Sequence, residues 1–124
     1  MGTREMGKSG ENIAEKYLLE NGYKILDKNF VFRSAGGPQK AEIDIVAEKG
    51  DSFIFVEVKT AKENAFFNPE NKVDFKKRNK IARAAEVWLS KNKIALDKKW
   101  QIDVVAIRVD PCTEEFKLSH FPNI

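Results

Sequence analysis

Histidine and cysteine each occur once in this 124-residue chain, as His120 and Cys112. A single cysteine excludes an intrachain disulfide and a zinc site built on cysteine pairs. A single histidine excludes a multi-histidine metal centre. A Ser-His-Asp triad would have to draw on His120, and no G-x-S-x-G accompanies it. Long apolar runs are also missing, and none approaches the roughly 20 residues of a membrane helix. The opening MGTREMGKSGE has no apolar signal-peptide core, and Met6 stands where a myristoylation signal needs Ser or Thr. A soluble, cytoplasmic protein is the expectation. An excess of one charge is lacking too. With 22 basic and 19 acidic side chains, the net charge is only +3, which by itself points neither toward nor away from nucleic acid.

What is present is unevenly spread. The window Lys76 to Arg83 (KKRNKIAR) holds five basic residues and no acidic one, whereas carboxylates of interest stand at 11, 42, 44 and 57. Such a chain can hold a polyanion and a metal together. Hydrophobic residues make up 42%, enough for the core of one domain spanning residues 1–124.

The pattern reads as helix, three strands, helix, two strands. Ile13, Ala14, Tyr17 and Leu18 recur at helical spacing between Ser9, a candidate cap, and Gly22, a left-handed stop. Glu11 falls at the edge of that apolar stripe. It reads either as a helix-dipole carboxylate or as part of a site. Tyr23 to Phe32 reads as a strand, breakable at Asp27–Asn29. Arg33 to Lys40 (RSAGGPQK) is a loop, and Ala61 to Lys72 an irregular connection containing Phe66 and Phe67. A long helix from Asp74 to Lys91 lines up Ile81, Ala84, Ala85, Trp88 and Leu89. Trp100 to Val109 is a strand buried at its centre, and EFKLSHF, ending at Phe121, is an alternating one. The last two strands pair antiparallel, and the strand before the long helix runs parallel to the one after it. The expected fold is a mixed α/β domain, a central mixed sheet flanked by helices. Asp103 sits in a buried strand with no evident partner, and His120 and Cys112 read as structural or surface residues.

The stretch EIDIVAEKGDSFIFVEVKT, Glu42 to Thr60, is the chemical puzzle. Gly50-Asp51 suits a two-residue turn. Counting back from it sets Asp44 opposite Glu57 and Glu42 opposite Lys59. Strand alternation puts Ile43, Ile45, Ile54, Val56 and Val58 on one face, and Glu42, Asp44, Glu57 and Lys59 on the other. One reading is a solvated face of cross-strand salt bridges, Glu42 with Lys59. Two features weigh against it. Phe53 and Phe55 share the charged face, and opposed carboxylates such as Asp44 and Glu57 repel. The other reading is a metal site. A divalent ion offsets the repulsion, and oxygen ligands suit Mg²⁺ or Mn²⁺. Such an ion lowers the pKa of a bound water and polarises a phosphoryl oxygen. Lys59 can then neutralise developing charge, and Glu11 can join if the first helix packs on this face.

Asp44 followed by Glu57-Val58-Lys59 is similar to the PD-(D/E)XK nuclease signature. More closely, the chain resembles the YraN-like family of small predicted endonucleases, kin to archaeal Holliday-junction resolvases. The resemblance runs through GENIAEKYLLENGYKILDKNF, AEIDIVA, FVEVKT, VDFKKRNKIARAAEVWL, IDVVAI and LSHFPNI. It implies a restriction-endonuclease-like core, α-β-β-β-α-β with an extra C-terminal strand. It also implies a metal-dependent nuclease. Asp44, Glu57 and the Val58 backbone carbonyl would bind the metal, with Glu11 joining directly or through water. Lys59 would be catalytic, and Lys77 would contact the scissile strand. Ala41 stands where the family usually has Gly, RSAGGPQK lengthens that loop, and Ala61 replaces a common Arg.

Arg33, Lys76, Lys77 and Lys80 are the candidate nucleic-acid contacts, within a wider set of Arg4, Lys8, Lys40, Lys62, Arg78 and Arg83. Phe66 and Phe67 either stack on bases or pack beneath their loop. Two functions follow. The first is a Mg²⁺- or Mn²⁺-dependent DNA endonuclease, acting on branched or other non-duplex structures by analogy. A junction-cutting enzyme of this kind needs two sites and hence a homodimer. The alternative is a non-catalytic nucleic-acid-binding module with a relict acidic site, working with a protein partner.

Overall fold

The computed structural model describes residues 3–33, 40–62 and 75–124, with side chains in the first helix described from Ser9 onward. Phe66, Phe67 and the side chains of Arg4 and Lys8 lie outside the described residues. The elements are α1 (Thr3–Glu20), β1 (Lys24–Arg33), β2 (Lys40–Lys49), β3 (Ser52–Lys62), α2 (Phe75–Lys91), β4 (Trp100–Val109) and β5 (Phe116–Phe121). The strands form one sheet in the order β1-β2-β3-β4-β5. β3 and β4 are parallel and the other neighbours antiparallel, the mixed sheet that the chain order implies.

The α1 stop forms at Gly22, whose φ is 86°. Tyr23 N–H donates to Leu18 O at 3.0 Å and Gly22 N–H to Leu19 O at 3.2 Å, closing the last turn in a Schellman arrangement. The start differs from the expectation. Ser9 does not cap the helix, which already begins at Thr3. A candidate cap residue inside a continuous helical pattern simply continues it, because propensity is a weak local signal. In α2, Ile81, Ala84, Ala85, Trp88 and Leu89 are the buried residues, as the i, i+3, i+4 spacing requires.

The two helices cover opposite faces of the sheet. Ala14 and Leu18 pack with Ile45, Ala47, Ile54, Val56, Val105 and Ile107. Ile81, Ala85, Trp88 and Leu89 pack with Ile43, Val46, Phe53, Phe55 and Ile102. Trp88 sits edge-on to Phe55, centroids 5.9 Å apart, and its indole N–H donates to Asp27 Oδ2 at 2.9 Å. Ile43 therefore lies on the α2 side, not with Ile45, Ile54 and Val56. β2 thus changes face between Ile43 and Ile45, while the β1–β2 register holds across Phe30↔Ile43 and Lys28↔Ile45 and shifts only between Ile25 and Asp27. Between those two pairs Asn29 takes a positive φ of 55°, where β1 faces the point at which β2 changes face.

Asp103 has partners that the sequence did not reveal. It is fully buried, yet it accepts from Gln101 Nε2 at 2.8 Å and Asn123 N–H at 3.0 Å. His120 Nε2 lies 2.6 Å from Asp103 Oδ2. A carboxylate only accepts, so Nε2 carries hydrogen. On a neutral ring Nδ1 then accepts from the Tyr17 hydroxyl, 2.9 Å away. His120 thus ties β5 to both β4 and α1. Burial would raise the Asp103 pKa, but the bonds from His120, Asn123 and Gln101 outweigh it and hold the carboxyl below its usual range.

Candidate active site

Gly50 has a φ of 62°, and the turn sets Lys49 opposite Ser52 as the count requires. The β2–β3 ladder then runs to Ile45↔Val56. Asp44 and Glu57, expected as the next directly opposed pair, come after the ladder ends, and so do Glu42 and Lys59. From the change of face at Asp44 outward, β2 no longer pairs with β3. The Val58 N–H, left without a backbone acceptor on β2, donates instead to Asp44 Oδ2 at 2.7 Å. In extended backbone a residue's N–H and C=O point to the same side, so the Val58 carbonyl faces the same gap.

Glu57 is buried to 7% exposure. Its Oε1 meets Lys59 Nζ at 3.0 Å and Lys77 Nζ at 2.8 Å. Lys59 arrives on the same face by strand alternation, and Lys77 from the first turn of α2. The expected Glu42–Lys59 pair does not form, because Lys59 turns to Glu57. A cavity of about 450 Å³ opens here, lined by Lys40, Ala41, Glu42, Asp44, Glu57, Lys76, Lys77, Lys80 and Ile81.

Glu11 comes from α1, across the sheet. It reaches the gap because Gly10 lets the helix backbone approach β3 closely. A methyl group on Gly10 would overlap Thr60 Oγ1 and lie 3.1 Å from Thr60 Cβ. Burial and then the Glu42 charge raise the Glu11 pKa, while a hydrogen bond with Asp44 opposes them. A bond between two carboxyls requires a proton on one of them. Asp44 is the group pushed hardest. Burial and the neighbouring Glu57 raise it to about 8, with the Val58 N–H bond opposing. Burial and the adjacent Lys77 lower the Lys59 pKa. For Lys77, burial acts downward, but the hydrogen bonds to Glu57 and Lys59 prevail and raise it.

Among the described residues, no three acidic, histidine or cysteine side chains converge tightly enough to hold a metal ion as they stand. The local charge explains the arrangement. Glu57 is turned onto two ammonium groups, and burial raises the pKa of Asp44 and Glu11. Yet four carboxyl groups (Glu11, Glu42, Asp44 and Glu57) crowd together here, and their mutual repulsion adds to the rise at Asp44 and Glu11. All four are hard oxygen donors, the set that Mg²⁺ and Mn²⁺ take, and a divalent cation would relieve the repulsion that raises Asp44. The residues therefore fit such an ion.

Of the candidates read from the sequence, Asp44, Glu57, Lys59 and Lys77 meet within this region, and Glu11 reaches its edge. Lys76 and Lys80 line the cavity with them. Arg33 does not. It pairs with Lys40 at the end of the β1–β2 ladder, and Lys40 lines the cavity instead. Gly10 was missed as a site residue, although Gly before Glu in an otherwise strong helix is a signal of close approach. Among the described residues no helix is long and apolar enough to cross a membrane.

The family model described as "Uncharacterised protein family UPF0102" matches residues 10–107. A UPF0102 protein of Dictyoglomus turgidum is 37% identical over 99% of this chain and 98% of its own length. One of Alkaliphilus oremlandii is 36% identical over 97% of each chain. One of Geobacter metallireducens is 38% identical over 97% of this chain and 91% of its own.

Proposed function

The chain belongs to the uncharacterised protein family UPF0102, and we propose that it is a divalent-metal-dependent nuclease hydrolysing phosphodiester bonds in DNA. One observation carries the reading. Where β2 leaves β3, Asp44 and Glu57 stand over a cavity that also takes Lys77 from α2, with Glu11 and Glu42 close enough to raise Asp44 further. Asp44, Glu57, the Val58 carbonyl and Glu11 would hold the ion. Bound Mg²⁺ or Mn²⁺ would supply an activated water and polarise a phosphoryl oxygen.

The protein's own groups do the rest. Asp44 is fixed by the Val58 N–H and cannot swing away without losing that bond. Lys59, its pKa lowered, can orient a water or give a proton near neutral pH more readily than an exposed lysine. Lys77, its pKa raised, stays cationic and can hold a phosphate oxygen as negative charge develops. Lys76 and Lys80 place further positive charge at the cavity mouth. Branched or other non-duplex DNA is the substrate form suggested by analogy with junction resolvases, and cutting both strands of a junction would call for a homodimer.

A second reading, binding without cleavage, has one observation in its favour: Glu57 Oε1 is already engaged by two lysines. A single assay separates the two. The protein is incubated with Mn²⁺ and a panel of duplex, single-stranded, flap and four-way-junction DNA, with Glu57→Ala in parallel. Cleavage of at least one form, abolished by EDTA and by Glu57→Ala, supports the nuclease. Binding with no cleavage of any form supports the second reading.

A further inference from the structure

The first three turns of α2 carry five cations, and the fold treats them in two ways. Lys77 and Arg78 are half-buried. Lys77 bonds Glu57, and Arg78 Nε donates to the Ile124 carbonyl at 2.8 Å. Lys76, Lys80 and Arg83, with Asn79, are exposed. Among the described residues none of these four makes an ion pair or side-chain hydrogen bond. They fall at i, i+3, i+4 and i+7, one stripe of the helix. The stripe is concave, with a second cavity of about 250 Å³ lined by Lys76, Asn79, Lys80 and Arg83. Lys76 and Lys80 also line the acid cavity. The two cavities are thus neighbours along α2, the first lined by acids and lysines together and the second by cations and an asparagine alone.

We propose that Lys76, Asn79, Lys80 and Arg83 form a subsite for the backbone phosphates of a nucleic-acid strand next to the phosphate held at the acid cavity. The proposal rests on the nucleic-acid reading of that cavity, but not on its chemistry. Unpaired cations on a stripe bind phosphates without reading sequence, and the asparagine amide adds a neutral donor. From Lys76 to Arg83 the helix rises about 10 Å, enough to run beside about two or three successive backbone phosphates. The strand is therefore gripped on one flank of the cleaved bond, toward the C-terminal end of α2. Arg78 is not part of the track, because its guanidinium holds the closing segment of the chain.

The test is binding, measured in EDTA so that cleavage plays no part. Fluorescence anisotropy with a labelled DNA oligonucleotide, between about 50 and 200 mM salt, gives the slope of log affinity against log salt. Loss of two phosphate contacts in Lys80→Ala/Arg83→Ala is expected to reduce that slope by about 1.4 on a single strand. Lys98→Ala/Lys99→Ala removes the same charge elsewhere and is expected to leave the slope unchanged. A strand with one uncharged methylphosphonate linkage, moved position by position, is expected to lose affinity for the wild type at about two or three consecutive positions, and for the double variant at fewer. A slope change no larger than the control's overturns the proposal. Metal-dependent cleavage without that slope change removes the subsite and keeps the nuclease. The slope change without cleavage of any substrate does the reverse.

Discussion

At the residue scale, the site is a contest between burial and charge. Burying a carboxylate is costly unless something compensates it, and Asp44 has only one N–H donor beside three other acids. Its pKa of about 8 stands well above the ordinary 3.8. The folded state therefore holds this proton more tightly than the unfolded chain does. By linkage, the stabilisation from protonated Asp44 is complete below about pH 4 and is lost as pH rises toward about 8. Thermal melting in EDTA is expected to show this decline, and Asp44→Asn is expected to flatten it. A decline unchanged in Asp44→Asn would mean that another group titrates. Lys59→Ala is expected to leave DNA binding intact and to slow Mn²⁺-dependent cleavage by about 100-fold or more. Single-turnover kinetics checks both, and an unslowed variant would remove Lys59 from the mechanism. Asp44, Glu57 and Lys59 were legible because a two-residue turn links them over a short stretch. Glu11 and Lys77 were not placed by counting, since they arrive from helices on opposite faces; the helical stripe put Glu11 only at its edge, and the motif resemblance alone gave Lys77 its role. Glu42 was mispaired for a related reason. The count assumed a ladder that continues, and the chain leaves it at Asp44.

At the element scale, α1 brings an acid to the gap only because its backbone can rest on β3. Gly10→Ala is expected to force α1 away from Thr60, lowering the melting temperature and weakening Mn²⁺ binding together. Gly10→Ala/Thr60→Ala, which removes the overlapping hydroxyl, is expected to recover part of both. Equal Mn²⁺ affinity in wild type and Gly10→Ala would show that Glu11 is not positioned this way. β5 depends on a different contact. His120→Ala leaves buried Asp103 without its closest partner, and losing a hydrogen bond to a charged group costs about 1.5–3 kcal/mol. Chemical denaturation measures the loss, while DNA cleavage per folded molecule is expected to stay near wild type, since His120 lies on the α1 side of the sheet. The helices themselves were readable from their stripes, to the residue in the case of α2. The added turns at the start of α1 were not, because nothing in Thr3 to Lys8 breaks a helix or demands one.

At the scale of the whole molecule, the order β1-β2-β3-β4-β5 follows from short antiparallel connections and one helical crossover between β3 and β4. Such topology rules act over the whole chain, and so the architecture was legible from element order alone. The change of face at Asp44 was not, because period-2 alternation contains no term for one. From that point outward β2 no longer pairs with β3, and the molecule opens at the acid cavity. The sheet, the two helices and the basic stripe then converge on a place where four carboxyl groups crowd together. The central claim is that a divalent cation belongs there. Titration of Mn²⁺ into the protein at about pH 8, followed by electron paramagnetic resonance of the free ion, tests it most directly. The account predicts saturable binding that Asp44→Asn and Glu57→Ala each abolish. No saturable binding, or binding undiminished in both variants, would contradict it.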